Sequence, residues 1–259
     1  MERKSIVEIK DISMTYHTLD GETEAIKDIN LNIDKGEIVS LVGPSGCGKS
    51  TLLSIIAGLI EPSKGKVLIK GKEVKGPTKE IGYMFQRDHL FEWRTIIENV
   101  LIGLEIQGKV NEENYKYAEK LLDIYGLSDF KEKFPRQLSG GMRQRAALIR
   151  TLVVKPDLLL LDEPFSALDY QTRLAIADEI GIILKKEEKT ALMVTHDIAE
   201  AIAMADRVVV LSKRPATIKE IIPINLSCPG GVRTPMKCRE APEFRHYFNK
   251  IWKELDIHV

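Results

Sequence analysis

Residues 43–50 read Gly-Pro-Ser-Gly-Cys-Gly-Lys-Ser, directly after the apolar run Ile-Val-Ser-Leu-Val at 38–42. The segment matches the G-x-x-x-x-G-K-[ST] pattern of a phosphate-binding loop. Its glycines let the backbone curl so that successive N–H groups point inward, and a helix that begins near Lys49 adds its positive end. Lys49 is expected to reach the β- and γ-phosphates, and the Ser50 hydroxyl is expected to ligate Mg²⁺. Because a chain of this length carries the pattern by chance only about 1% of the time, we predict a nucleoside triphosphate site here.

A second candidate for phosphate binding is the sequence Leu-Ser-Gly-Gly at 138–141. Ser139 is a good N-cap for the helical pattern that follows, and the small residues leave the first N–H groups of that helix open to an anion. Taken alone, the same residues would also suit an ordinary capped helix that binds no ligand.

Two acidic residues follow a run of four leucines at 158–161. The run predicts a buried strand, which would deliver Asp162 and Glu163 to the edge of an α/β sheet where ligands bind. Asp162 would hold Mg²⁺ through water, and Glu163 would polarise the attacking water. An acidic pair after a strand is most often a solvated loop, but the phosphate loop earlier in the chain favours the catalytic interpretation.

Together the three segments resemble the ATPase subunit of an ABC transporter, and the resemblance covers most of the chain. It implies a P-loop NTPase (RecA-like) α/β fold, ATP and Mg²⁺ as cofactors, and ATP hydrolysis as the activity. It also implies that Tyr16 stacks on adenine, and His17 is the next candidate for this role. Such stacking is worth about 1–3 kcal/mol by analogy with base stacking. The implied ATP-binding residues are Tyr16, Gly43, Pro44, Ser45, Gly46, Cys47, Gly48, Lys49, Ser50 and Thr51.

Three further residues match the family by their order along the chain. Gln86 follows the strand predicted at 81–85 and resembles the family's Q-loop glutamine, which senses Mg²⁺ and the lytic water. His196 follows the strand predicted at 191–194 and resembles the histidine that contacts the γ-phosphate, while Asp169 resembles the D-loop residue at the dimer interface. The resemblance thus implies a catalytic set of Glu163, His196 and Gln86, and Mg²⁺ contacts from Ser50, Gln86 and Asp162.

The family geometry implies that the working unit is two chains. In it, Ser139, Gly140 and Gly141 contact the ATP bound to a second copy of the chain, so one chain alone has no complete site. A two-fold pair completes two sites at once. Met142 stands where the family's Leu-Ser-Gly-Gly-Gln signature has Gln, so the contacts are expected from Ser139 and the backbone.

Strand-like and helix-like segments alternate along the chain, which predicts a parallel sheet with helices at 49–59, 140–154 and 170–186. The first 35 residues instead alternate apolar and polar positions around a turn at Leu19-Asp20-Gly21, which predicts an antiparallel flank. We expect a single ATPase domain over 1–259. Within it, 1–90 and 155–215 form the core with its flank, 91–154 an inserted helical subdomain and 216–259 a short extension with a closing helix at 241–255.

Composition indicates where in the cell the protein acts and which partners are not expected. The formal net charge is zero, and no long basic block points to nucleic acid. Apolar runs are far shorter than the roughly 20 residues of a membrane helix, and the N-terminus has no signal-peptide pattern. We therefore expect a cytosolic protein that reaches the cytoplasmic face of the membrane through a separate permease. Cys47, Cys228 and Cys238 are expected to be reduced thiols; a metal site from the last two with His246 is the minor alternative.

The type of ABC protein is indicated by weaker matches. The segments beginning at Phe91, at Phe134 and at Lys213 resemble the nitrate/sulfonate/taurine branch of importers. Phe91 and Trp93 lie where the family receives a helix of the permease, or else they pack within the helical insert. A solute-binding protein would act through the complex. The alternatives are an importer for another solute, a soluble ABC ATPase of DNA repair or ribosomes, and a small-molecule kinase that uses the phosphate loop alone.

Overall fold

Six strands form a mainly parallel sheet at the centre of the computed structural model, which describes residues 5–18, 21–228 and 234–255. Their order is β10-β9-β3-β8-β7-β6, and only the pairing of β10 with β9 is antiparallel. The strands are β3 (Ile38–Val42), β6 (Ile81–Met84), β7 (Leu158–Asp162), β8 (Thr190–Val194), β9 (Arg207–Leu211) and β10 (Ile218–Pro223). The predicted parallel α/β core is confirmed.

A second sheet of four antiparallel strands lies against the first, as the alternating pattern near the N-terminus predicts. Its order is β2-β1-β4-β5, with β1 (Ser5–Thr18), β2 (Gly21–Asp34), β4 (Lys64–Ile69) and β5 (Lys72–Glu73). Of the turn predicted between β1 and β2, Leu19 and Asp20 lie outside the described residues.

Eight α-helices are found in the described part of the chain. They are α1 (Lys49–Ile56), α2 (Ile96–Ile106), α3 (Glu112–Ile124), α4 (Gly140–Leu152), α5 (Tyr170–Lys186), α6 (Ile198–Met204), α7 (Pro235–Cys238) and α8 (Phe244–Glu254). The helix predicted over 49–59 ends three residues early because Gly58 adopts a φ of 72°, which no helix allows. No helix among these residues is long and apolar enough to cross a membrane.

Alternating side chains of the central strands divide the hydrophobic core into two layers. On β7, Leu158 and Leu160 pack towards α1 and the antiparallel sheet, whereas Leu159 and Leu161 pack towards α2, α4, α5 and α6. All five residues of β7 are buried, as expected for a strand that is covered on both faces. The carboxyl edge of this doubly covered sheet carries the candidate site.

The segment between β6 and β7 is mainly helical, as predicted for the insert. A capping box begins α2: the Thr95 hydroxyl accepts from the N–H of Glu98, and the Glu98 carboxylate accepts from the N–H of Thr95 at 2.7 Å. α2 and α4 pack together, with Ile97, Val100 and Ile149 in their shared core. The division of the chain at residues 90, 154 and 215 stays a prediction.

The tail folds back on the core and corrects one expectation. Cys228 and Cys238 are joined as a disulfide with their Cα atoms 4.9 Å apart, so they are neither reduced thiols nor a metal pair. The two cysteines are ten positions apart in the sequence, and α7, which ends at Cys238, packs on α5 and α6. Cys47 alone of the three cysteines is a thiol, and it is buried.

Candidate functional site

The carboxyl edge of the central sheet brings together residues from four neighbouring strands. The loop at 43–50 follows β3, Asp162 ends β7, His196 follows β8 and Gln86 follows β6. A pocket of about 520 Å³ opens at this edge. It is lined by Tyr16, Ala25, Gly43, Ser45, Gly46, Gly48, Lys49, Ser50, Thr51, Gln86, Glu163, His196 and Arg214. Eleven residues of the predicted site therefore share one cavity, which is the place that α/β sheets offer to ligands.

The phosphate loop takes the predicted form of a curled backbone that runs into a helix. Gly48 is the N-cap of α1 with a φ of 125°, and a Cβ at this position would lie 3.0 Å from the carbonyl oxygen of Ala25. Only glycine fits both requirements. The N-terminus of α1 therefore faces the pocket, where its unpaired N–H groups favour an anion.

Lys49 lines the pocket, but most of its side chain is buried in the phosphate loop. The residue is only 8% exposed, and its Nζ donates to the carbonyl oxygens of Gly43 at 2.7 Å and Pro44 at 2.9 Å. The ammonium group thus closes the loop on itself, while still lining the pocket. A phosphate group in this cavity would compete with the two carbonyl oxygens for the same N–H donors.

Cys47 is 1% exposed, and its sulfur lies 3.9 Å from the Nζ of Lys49. Because the thiol faces the interior, a ready attack on it by thiol reagents is not expected. Cys47 and Pro44 take part in the loop through their backbone and do not line the pocket.

The residues predicted to hold Mg²⁺ offer a set of oxygen donors. Burial raises the pKa of the Asp162 carboxyl, and a hydrogen bond with the Ser50 side chain opposes that shift. Hydroxyl, carboxylate and amide oxygens are the donors that Mg²⁺ prefers, and a divalent cation would offset the burial of a carboxylate. The residues present therefore fit the ion.

Glu163 lies between the other two members of the predicted catalytic set. Its Oε2 accepts from the Nε2 of Gln86 at 3.0 Å and lies 3.4 Å from the Nδ1 of His196. The Glu163 side chain is 19% exposed and that of His196 is 62% exposed. One carboxylate at the mouth of the pocket thus contacts two polar side chains from neighbouring strands.

Asp197 caps the helix that follows His196. It is the N-cap of α6, and its carboxylate accepts from the N–H groups of Ala199 and Glu200. The Glu200 side chain does not return the contact; it accepts from the hydroxyl of Thr195 at 2.6 Å instead. That hydroxyl in turn accepts from the N–H of Asp197 at 3.0 Å, which fixes the loop that carries His196.

Tyr16 lines the same pocket from β1, and its hydroxyl donates to the Thr51 hydroxyl at 3.2 Å. The ring is half-buried, so one part of it faces the cavity. His17, the second candidate, is largely exposed and pairs with Glu22 at 3.2 Å, outside the lining of the pocket.

Residues 139–141 and Asp169 lie outside this pocket. The Ser139 hydroxyl caps α4 by accepting from the N–H of Met142 at 3.3 Å, and Ser139 and Gly140 are exposed. Asp169 caps α5 by accepting from the N–H of Thr172 at 3.0 Å. These residues therefore do not line the phosphate-loop pocket of their own chain, and Ser139, Gly140 and Asp169 are exposed.

Arg214 lines the pocket and was not among the predicted site residues. Its Nε and Nη2 donate to the carbonyl oxygen of Gly46 at 3.2 and 2.6 Å. The sequence carried no signal for this contact, since the partners are 168 positions apart. Gln144 was missed for the same reason; its amide reaches the loop after Glu163.

Comparison with known proteins gives matches that all belong to one family. A model of the ABC transporter family matches residues 26–166. An uncharacterised ABC transporter ATP-binding protein of Bacillus subtilis is 50% identical, over 97% of this chain and 96% of that protein. A nitrate import ATP-binding protein of Synechocystis is 43% identical, over 95% of this chain and 93% of that protein. A taurine import ATP-binding protein of Roseobacter denitrificans is 37% identical, over 94% of this chain and 93% of that protein.

The fold has a solved counterpart as well. The dimeric structure of a bacterial ABC transporter cassette superposes with a TM-score of 0.77 at 33% sequence identity. The match covers 85% of this chain and 99% of that one. The likeness therefore extends over the whole of that cassette.

Proposed function

The chain belongs to the ABC transporter family and is an ATP-hydrolysing cassette, and from this premise we propose that it drives a membrane importer for a small anion such as nitrate, a sulfonate or taurine. The single observation that carries the chemical part is the contact of Glu163 with both Gln86 and His196 at the mouth of the phosphate-loop pocket. We propose that these groups surround the γ-phosphate of a nucleotide that residues 43–51 hold.

In the proposed reaction, Glu163 accepts the proton of the attacking water and His196 and Gln86 orient the groups around it. Lys49 and the N-terminus of α1 bind the phosphates, and Tyr16 packs on the base. Mg²⁺, bound through Ser50, Asp162 and Gln86, would neutralise the charge of the transferring phosphoryl group.

A second copy of the chain supplies the rest of the site. Ser139, Gly140 and Gly141 lie outside the chain's own pocket, and the first two are exposed. We propose that they contact the ATP of the partner copy, with Asp169 at the interface between the two. ATP would then hold the dimer closed, and hydrolysis would release it.

The importer part of the proposal is supported by the relatives that are named as nitrate and taurine import proteins. The substrate would enter through a permease and a solute-binding protein, and this chain would act at the cytoplasmic face. The exposed ring of Trp93, close to Gln86 in the sequence, is the proposed point of contact with the permease. No observation favours a repair, ribosomal or kinase function over this one.

Glu163→Gln tests the proposed chemistry. The variant should bind ATP, hydrolyse it about 10²–10⁴-fold more slowly because the proton acceptor is lost, and accumulate as a dimer with ATP and Mg²⁺. Phosphate release and size-exclusion chromatography measure the two effects. Glu132→Gln, the same change at an exposed site, should behave as wild type. A monomeric Glu163→Gln variant with full activity would overturn the assignment.

The transport part needs the assembled complex. The chain should copurify with a permease from membranes of its own host, and ATP hydrolysis by that complex should rise with the loaded solute-binding protein. Testing nitrate, an alkanesulfonate and taurine in turn would identify the anion. A complex that none of these stimulates would contradict the substrate class and leave the ATPase assignment intact.

A further inference from the structure

Gln144 is a polar residue in the interior of the protein, only 4% exposed, on the face of α4 that meets the loop between β7 and α5. Burial of an amide is unfavourable unless its polar atoms are paired. The Nε2 of Gln144 donates to the carbonyl oxygen of Glu163 at 3.2 Å and lies 3.4 Å from the hydroxyl of Ser166. Its Oε1 accepts from the N–H of Ala167 at 2.9 Å. Both the nitrogen and the oxygen of the amide are therefore hydrogen-bonded to this one loop.

The backbone of Glu163 needs such support. Its φ is 49°, a left-handed conformation that is unfavourable for a residue other than glycine. The N–H of Glu163 donates to the carbonyl oxygen of Val194 at 2.9 Å, and the carbonyl oxygen of Glu163 accepts from the Ser166 hydroxyl at 3.0 Å as well as from Gln144. Strained conformations persist where surrounding contacts determine them. These contacts fix the direction in which the Glu163 side chain leaves the strand.

α4 also approaches the loop closely at its first turn. A Cβ on Gly141 would lie 3.0 Å from Cδ2 of Leu168 and 3.6 Å from the carbonyl oxygen of Ala167. Gly141 and Gln144 are three positions apart and thus share one face of the helix. The helix that begins at Ser139 is therefore joined to the loop of Glu163 by packing at one turn and by hydrogen bonds at the next.

We propose that Gln144 is a positioning residue for ATP hydrolysis: it holds the peptide of Glu163 so that the carboxylate meets Gln86 and His196, and it ties this geometry to the helix that begins at Ser139. The inference rests on the proposed role of Glu163. Movement of Ser139 against the ATP of a partner copy would be transmitted through Gln144 to the carboxylate of the same chain.

Gln144→Met in the full chain tests the proposal, since Met has nearly the same shape and lacks the amide. The expected result is a kcat that is lower by about 10- to 100-fold, the loss that a small misplacement of a catalytic group produces. The KM for ATP and the melting temperature should stay close to wild type. Thr151→Val is the matched control, because it removes a buried hydroxyl of α4 whose bond is to Ala147 within the helix.

A second variant isolates the contact with Glu163. Gln144→Glu, assayed at a pH at which the new carboxyl is ionised, keeps an acceptor for the N–H of Ala167 and has no donor for the carbonyl oxygen of Glu163, so it should be as slow as Gln144→Met. If Gln144→Met does not fold, Gln144→Glu takes its place as the test of the proposal. Wild-type kcat in either folded variant would overturn the proposal. So would a loss of kcat matched by equal losses in nucleotide affinity and melting temperature, which would assign Gln144 to packing alone.

A double variant separates this inference from the proposed function. If Gln144 acts through Glu163, adding Gln144→Met to Glu163→Gln should lower kcat no further. Additive losses would overturn the positioning role. If Glu163→Gln alone is fully active, the proposed function fails first. If Glu163→Gln is slow while Gln144→Met is not, only the present inference fails.

Discussion

Arg214 follows strand β9, and its side chain is hydrogen-bonded to the phosphate loop. Its guanidinium donates twice to the carbonyl oxygen of Gly46, a residue in the left-handed region with a φ of 69°. Hydrogen bonds from charged donors contribute about 1.5–3 kcal/mol. The contact therefore stabilises the curled loop before any nucleotide is bound, and it places a positive charge on the wall of the pocket.

Arg214→Ala should weaken ATP binding by about tenfold, which corresponds to roughly 1.4 kcal/mol, without a large change in melting temperature. Titration with a fluorescent ATP analogue measures the affinity. Lys213→Ala is the control, since Lys213 is exposed and it is its backbone carbonyl that accepts from the hydroxyl of Ser212. An unchanged affinity in Arg214→Ala would show that the loop keeps its form without the guanidinium.

At the scale of elements, the disulfide fastens the short helix α7 to the chain that leaves β10. Cys238 is fully buried, and α7 also contacts α5. A further hydrogen bond joins these helices, from the N–H of Met236 to the Asp178 carboxylate at 2.6 Å. The tail is thereby attached to α5, the helix that Asp169 caps.

The thiol count gives a direct check of this arrangement. Protein that is purified without reductant and then denatured should titrate one thiol per chain, Cys47, out of three cysteines. Replacing Cys228 and Cys238 by Ser should lower the melting temperature by several degrees, because a cross-link over a loop of this size is worth about 3 kcal/mol. Reductant should lower the wild-type value and leave the variant unchanged. Three titrated thiols would contradict the pairing.

At the scale of the whole molecule, Trp93 presents a large apolar side chain that the described residues leave mostly uncovered. The residue is 73% exposed, and its ring lies 5.0 Å from that of the half-buried Phe91. The alternative that Trp93 packs inside the helical insert is therefore wrong. Exposed aromatic residues are the usual anchors of protein contacts, and this one lies a few residues after Gln86.

Trp93→Ala should weaken assembly with the permease by about 2 kcal/mol or more, while the isolated chain keeps its melting temperature and its affinity for ATP. Trp252→Ala offers the matched control, since Trp252 lies on α8 with 38% exposure and stacks on Phe248. That variant should lose stability and keep its binding to the permease. Equal permease binding by Trp93→Ala and wild type would contradict the docking role.

The amino-acid sequence by itself determined the class of fold and the family. Apolar runs such as Leu158–Leu161 predict doubly covered strands, and the order of residues 43–50, Ser139 and Asp162 along the chain identifies the cassette. The pocket lined by Gln86, Glu163 and His196 follows from the same reasoning, because parallel strands deliver the residues after them to one edge. Local patterns suffice for these features, since each depends on a short stretch of chain.

Only the tertiary structure decided the particular contacts of several other side chains. Lys49 is buried against carbonyl oxygens of its own loop, and Arg214 reaches Gly46 across 168 positions. Gln144 contacts the peptide of Glu163, and Cys228 pairs with Cys238. Periodicity shows which face of an element is buried but not what lies opposite, because that depends on how helices and sheets pack. Contacts between elements therefore come from the packed fold alone.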